Sequence, residues 1–539
     1  MTNSLSCTAT WLRHQGRMLY CRYSLQQEQD APTVIFIAGL GDSCETWDKV
    51  QARIARIAST FSHDRVGIGK SEAAAQVPRT CADLVEELCE LIAQTPVKPP
   101  YILVGHSFGG LVARLFASRF PKLVAGMVLV DAAAEYKERA YEKALPAELL
   151  AENRAYLENR LLNREQIDKS QSYRQVSAHT GVSGMPLAIL MRGRPDYAQN
   201  DWPHEEILQI DQQLQADFQR LSTASRIRVA KDSGHDIHRD DPELVIEEIT
   251  IIVNEVRKMN EIKRRFIQNI KKIAVNQYQL GAGEKLEDFV ELMLQYIGDP
   301  DPQLRDESIY PAFYAWIHRE NKFTEGELRR LLLVLTDEQH LFYQIGSAGD
   351  DSVFTRTFSV LPIALILGQH RKQPFLDQAA FEHVKQALLR YYREEQDLRG
   401  YVPEGGWAHS AAHGADALDE LIQCPESDEA LQVEVLDAIA GMLHNGAHIF
   451  CEEEDERMAT IVHTMLGKEL LPIERIAAWI NSLAECGSWP RSRSQRIAQV
   501  NSKQFLRALF FRKTGPQGCD QHVANAIAGA EAKLNRFAE

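Results

Sequence analysis

Apolar and polar positions follow two different rhythms along the 539-residue chain. Up to about residue 255, short β-branched runs are separated by stretches with helical spacing. The runs are RMLYCRYS, TVIFIAG, STFSHDR, YILVGHS, GMVLVDA, PLAILMRG and RIRVAKDSG. Strands separated by helices predict an α/β fold with a mostly parallel sheet covered on both faces. The early stretch WLRHQGRMLYCRYS holds two runs close enough for an antiparallel hairpin at one edge. Residues 134–183, between GMVLVDA and PLAILMRG, are rich in Glu, Ala, Leu and Arg and predict several helices. That insertion is too long for a plain connection.

After DPELVIEEITIIVNEV the strand signals stop, and residues 259–539 predict helix after helix, broken at GDPDPQ, RKQPF, RGYVPEGG, CPESDE and ECGSWP. Two domains are therefore expected, 1–257 α/β and 258–539 all-α. The junction carries six basic residues from Lys258 to Lys272. Ile262, Phe266, Ile270 and Ile273 share one helical face there, which predicts packing on a core with a solvated basic side rather than a membrane- or partner-binding helix. LMLQYIGDPDPQLRDESIYPAFYAWI predicts a helix, an Asp-Pro turn and a second helix from near Arg305, similar to HEAT-type helical pairs.

Composition narrows the function. A formal charge of −15 argues against a dedicated nucleic-acid binder, which needs a basic face. No run of eighteen apolar residues predicts a membrane span, and the first residues lack the apolar core of a secretory signal. The nine cysteines contain no C-x-x-C pair, which suits a reducing cytoplasm.

The chemistry centres on YILVGHSFGG, residues 101–110. Gly105 and Gly109 permit a sharp turn from buried strand to helix, with Ser107 strained and exposed at its apex. The dipole of the following helix would stabilise developing negative charge. A serine needs a base, and His235 stands in a loop after the last strand, with His238 as the competitor. The acid should follow the preceding strand, which favours Asp196. Asp131, at the end of MVLVDA, is the alternative acid, and Asp201 and Asp232 are outsiders. Trp47 and Trp202 are candidates for the pocket wall or for ordinary packing.

In the second half, a helix starting near Trp407 would place His409, His413 and Asp416 on one face. That set could bind a divalent metal such as zinc; the alternative is a buried hydrogen-bonded network with His448, Glu453, Glu454, Asp455 and Arg457 as partners from the next helix.

The order Ser107, Asp196, His235, with VIFIAGLGDSCETW and HDRVGIGKSE, resembles the α/β-hydrolase family over residues 10–257. Ala38 stands where that family often has histidine. The resemblance implies a Ser-His-Asp triad, with an oxyanion hole from the backbone N–H groups of Leu40 and Phe108. A serine at 107 excludes the aspartate-nucleophile branch and implies hydrolysis of a small-molecule ester, thioester, lactone or amide without a cofactor. Residues 134–183 would form a lid over Ser107. FTRTFSVLPIALIL and GDPDPQLRDESIY resemble DUF2785, a bacterial all-helical family, over most of 260–539. That resemblance implies a fold and no mechanism. The competing reading is a binding or scaffold protein whose helical domain recognises a ligand, a protein partner or a second copy of the chain.

Overall fold

The computed structural model describes residues 7–27, 31–73, 78–178, 184–195, 201–513, 521–535 and 537. Two compact units divide between Arg264 and Arg265, inside a helix rather than at the expected 257/258 boundary.

In the first unit, strands β1 (Thr8–His14), β2 (Arg17–Ser24) and β3 (Thr33–Ile37) precede helix α1 (Asp48–Ile54) and β4 (Ser59–His63). Helix α2 (Cys81–Ala93), β5 (Tyr101–His106), α3 (Phe108–Arg119) and β6 (Val124–Val130) follow. Helices α4 (Lys137–Tyr141), α5 (Ala147–Glu158) and α6 (Lys169–Ser177) fill the expected insertion before β7 (Leu187–Arg192). Helix α7 (His204–Ala216), β8 (Ser225–Ala230), α8 (Ile237–Asp240) and the long α9 (Pro242–Val275) complete the order.

All eight strands join one sheet in the order β1-β2-β4-β3-β5-β6-β7-β8. As expected, β1 and β2 are an antiparallel edge hairpin. Its turn is Gln15-Gly16, both at positive φ, which matches the twist of the flanking strands. From β4 to β8 every neighbouring pair is parallel. Every residue of β3, β5 and β7 is buried, so these strands read as continuous apolar runs because helices cover both faces. Leu84, Leu88, Leu111 and Leu115 of α2 and α3 close one face; Val50, Ile54, Ile249 and Ile252 of α1 and α9 close the other. Ile37 pairs with Gly105, His106 with Val130, and Leu190 with Val130. The carboxyl ends of β3, β5, β6 and β7 are thus level, where open parallel sheets place their sites.

The second unit is helical, with one exception. Tyr401–Val402 and Gly406–Trp407 pair as a short hairpin where only a helix break was expected. The turn between them needs Glu404 and Gly406 at positive φ. Helices Ser352–Lys372, Ser410–Leu421, Glu454–Gly467 and Arg493–Lys513 pack in succession, each on the next. Gln378–Glu394 packs on Glu429–Leu443, and Ile473–Ser482 on Gln521–Leu534. These packed helix pairs make up the helical unit. Phe266, Ile270 and Ile273 are buried in this core as the junction pattern predicted, whereas Ile262 is exposed. Among the described residues one helix, Ser352–Lys372, is long and apolar enough to cross a membrane, and it is 83% buried within the protein.

One packing constraint positions the site. A Cβ on Gly109 would lie 2.6 Å from the Ala38 carbonyl oxygen, and one on Gly105 2.6 Å from the Gly109 oxygen. Helix α3 therefore presses directly on the ends of β3 and β5. Gly109→Ala should lower stability by about 1–3 kcal/mol through overpacking, seen as a reduced urea midpoint. An unchanged midpoint would remove the close-contact argument.

Candidate functional site

Strand β5 ends at His106, and Ser107 turns the chain at φ 50° and ψ −120°. The conformation is costly for a residue with a side chain, and hydrogen bonds hold it. The Ser107 N–H donates to Val130 O (3.2 Å), and the Ser107 carbonyl accepts from Ala133 N (2.9 Å) and Gly110 N (3.0 Å). Ser107 opens on a cavity of about 520 Å³ that Leu40, Phe108 and His235 also line. The two proposed oxyanion donors thus border the same space as the hydroxyl.

Asp131 follows β6 and, with a φ of 40°, turns into the sheet's carboxyl edge. His235 Nδ1 donates to its Oδ2 at 2.6 Å. Arg192, the last residue of β7, donates to the same oxygen at 2.7 Å, and Gln215 donates to Oδ1 at 3.0 Å. Burial alone would raise this carboxyl. The His235 hydrogen bond, the Arg192 charge and the Gln215 amide outweigh it and hold the carboxyl well below the usual range. A second Arg192 nitrogen donates to Asp211 Oδ2 at 2.6 Å, and Asp211 Oδ1 accepts from the Tyr141 hydroxyl. A continuous chain of polar contacts therefore joins His235 to the insertion.

Asp196, preferred from the sequence, lies outside the described residues. Among the described residues the carboxylate on His235 Nδ1 belongs to Asp131, while Asp201 and Asp232 are exposed. His238, the competing base, is engaged elsewhere. Its Nε2 meets Thr46 Oγ1, its ring lies 4.6 Å from Trp47, and burial lowers its pKa to about 3. Trp47 is fully buried in the core, whereas Trp202 lines the cavity.

Behind the serine, His106 Nε2 donates to the His235 carbonyl at 3.1 Å. Burial, then the neighbouring His235 and His238, push its pKa well below the ordinary value. Among the described residues His106, Asp236 and His238 alone form a trio whose donor atoms lie within 4.8 Å of one another, the spacing a metal would need. His409, His413 and Asp416 are not such a trio. His409 is not helical: it caps the helix at φ 53°, because the Gly406–Trp407 strand occupies the expected first turn. Its Nε2 meets Glu452 O at 2.7 Å, and Asp416 is held by both oxygens to Arg457 at 2.8 and 2.9 Å.

The loop before α1 is fixed from beneath. Arg65 donates to the carbonyls of Ala38 and Gly39 and, through two nitrogens, to Glu165 of the insertion (2.6 and 2.7 Å). Glu165 also accepts from the Gly41 N–H at 2.7 Å. Asp64 accepts from the Cys44 and Lys70 N–H groups. The HDRVGIGKSE turn thus acts as a clamp, which explains how the loop stands without a histidine at position 38. Arg192, Gln215, Asp211 and Glu165 were not singled out from the sequence. A usable signal for Arg192 was a charged residue ending a fully apolar strand.

Residues 34–248 match the alpha/beta hydrolase family, and residues 341–511 match "Protein of unknown function (DUF2785)". The chain is 30% identical over 243 residues to the uncharacterized protein YqjL of Bacillus subtilis strain 168, covering 44% of this chain and 90% of that protein. It is 26% identical to an AB hydrolase superfamily protein of Gibberella zeae, over 42% of this chain and 87% of that one. Among solved structures, carboxylesterase CesB (YbfK) from Bacillus subtilis aligns at 18% identity with a TM-score of 0.32, over 46% of this chain and 92% of that one. The chain belongs to the alpha/beta hydrolase family, with a DUF2785 segment in its helical unit.

Arg192 neutralises two buried carboxylates, so Arg192→Met should cost about 3–5 kcal/mol, read by urea denaturation. The sign with pH follows from Asp131. Its folded carboxyl sits below the ordinary 3.8, so the stability its charge contributes is complete above that value and is lost as pH falls toward the folded value. Removing Arg192 raises the folded value, so the stability lost between about pH 5 and about pH 2 should be smaller in the variant. An identical loss would mean that Arg192 does not set the Asp131 charge.

Proposed function

We propose that this hydrolase cleaves a small-molecule ester, thioester or lactone through an acyl-enzyme on Ser107, with His235 as base and Asp131 as the acid behind it. The observation that carries the reading is the 2.6 Å bond from His235 Nδ1 to the buried Asp131 carboxylate, at the cavity that the strained Ser107 turn lines. In the first half-reaction, Ser107 Oγ attacks the carbonyl carbon and His235 Nε2 accepts its proton. The backbone N–H groups of Leu40 and Phe108, the latter opening α3, stabilise the oxyanion. Collapse breaks the ester C–O bond, and the alcohol leaves with the proton from His235. In the second half, water attacks the acyl carbon, gives a proton to His235, and the acid departs as Ser107 regains that proton. Asp131 holds the imidazole with Nδ1 as donor and stabilises its charged form throughout. No step of this reading uses a metal or cofactor.

A fluorophosphonate probe should add one equivalent of mass to the native chain and none to Ser107→Ala. Asp131→Asn should lower kcat on an activated ester by about 10³–10⁴, while Asp196→Asn should change it by less than about threefold. The reverse ranking would hand the acid role to Asp196. Failure of the native chain to label would overturn the serine mechanism.

A further inference from the structure

The insertion builds an unusual wall for the cavity. Lys169 and Glu138 both line it, yet only 4% and 2% of their surfaces are exposed. Lys169 Nζ donates to Glu138 Oε1. The Tyr173 hydroxyl donates to the same carboxylate at 2.8 and 3.0 Å. The ammonium sits 3.8 Å over the Tyr156 ring, and Asn153 Nδ2 donates to the Glu138 carbonyl at 2.6 Å. A buried ion pair seldom stabilises a fold more than apolar side chains of the same volume would. Its place on the wall of the cavity that Ser107 also lines is therefore better explained by what the cavity receives.

Three classes of occupant meet this wall differently. An alkyl chain would strip water from Lys169 and Glu138 and return no hydrogen bond. A carboxylate would meet Asp42, Glu138, Glu152 and Asp236, against only Lys137 and Lys169, on the lining. A neutral group with several hydroxyls can donate to Glu138, accept from Lys169, whose ammonium carries three donors, and lay its C–H face on Tyr156. We infer that the substrate of Ser107 carries a neutral, polyhydroxylated moiety under the insertion, a polyol or sugar-like group in either its acyl or its alcohol half. The inference rests on the serine-ester reading above and names the substrate class for that same site.

The test measures kcat/KM of the full chain on size-matched esters: a sugar monoacetate, a methyl ester of a polyhydroxylated acid, hexyl acetate, monoethyl succinate and acetylcholine. At least one of the two hydroxylated esters should exceed hexyl acetate by about 10²-fold or more, and which one does assigns the half that lies under the insertion. In Lys169→Met/Glu138→Gln that ratio should fall below about tenfold. Tyr156→Leu, on a partly exposed side chain, should also reduce it and serves if the double variant fails to fold. Hexyl acetate, the succinate or the choline ester leading in the native chain would overturn the inference. So would a hydroxylated preference that survives both variants. Fluorophosphonate labelling separates the two failures: a chain that labels at Ser107 but prefers alkyl esters refutes only the substrate class, and one that does not label refutes the mechanism beneath it.

Discussion

A carboxylate buried at the end of β6 must be surrounded by partners, and much of the first unit is arranged by that requirement. Asp131 is almost fully buried and ionised, a state that only close donors can sustain. Its donors come from the loop before α8, from the end of β7 and from α7. Meeting this one charge fixes three elements in register at the sheet's edge. Arg192 then needs a second anion for its other nitrogens, and Asp211 provides it. Asp211 in turn takes the Tyr141 hydroxyl from the insertion. Each partner solves one desolvation problem and passes a smaller one outward.

A second buried pair does the same work on the loop between β3 and α1. Arg65 and Glu165 lie almost entirely out of solvent; they bond each other and the loop between β3 and α1, and Glu165 also accepts from Arg79 ahead of α2. The carbonyls of Ala38 and Gly39 and the N–H of Gly41 would otherwise be exposed to a shifting insertion. In the serine-ester reading proposed above, fixing them would hold the neighbouring Leu40 N–H in place. Preorganised backbone donors are effective because they need not reorient as charge develops. The insertion is consequently part of the site's scaffold at both ends, through Glu165 and through Tyr141.

The sheet was legible because its central strands are short, β-branched and largely apolar, and the elbow was legible because only glycine fits at 105 and 109. His235 followed from its place after the last strand. The acid was ranked by chain position alone, and that ranking carries no information on which strand end faces the imidazole. Asp131 and Asp196 both follow strands; the neighbouring Arg192 and Gln215 that suit Asp131 to a buried charge arrive from 61 and 84 residues away. In the helical unit, a period-based reading carried the helix back through Trp407 and put His409 on its face. The glycine pair 405–406 instead permits a tight hairpin, and the helix starts three residues later. Turn chemistry, rather than periodicity, decided the start of that helix.

Buried charges in the two units have different meanings, and their hydrogen-bond inventories separate them. Arg356, fully buried, gives two bonds to Glu395, one to Ser352 Oγ and others to the carbonyls of Tyr343, Gln344 and Ser347. Arg305 caps the carbonyls of Asp299, Gly405 and Trp407 and lies over Phe354 and Phe358. Each guanidinium gives bonds to turn or loop carbonyls, Tyr343, Gln344 and Ser347 for Arg356 and Asp299 and Gly405 for Arg305, which accounts for its burial through the fold. Lys169 and Glu138 engage each other, two tyrosines and the Glu138 N–H, and they line a cavity. A buried charge that closes several loop carbonyls has a structural reason to be there. One on the wall of the cavity that Ser107 also lines is placed to meet a ligand, the reading inferred above.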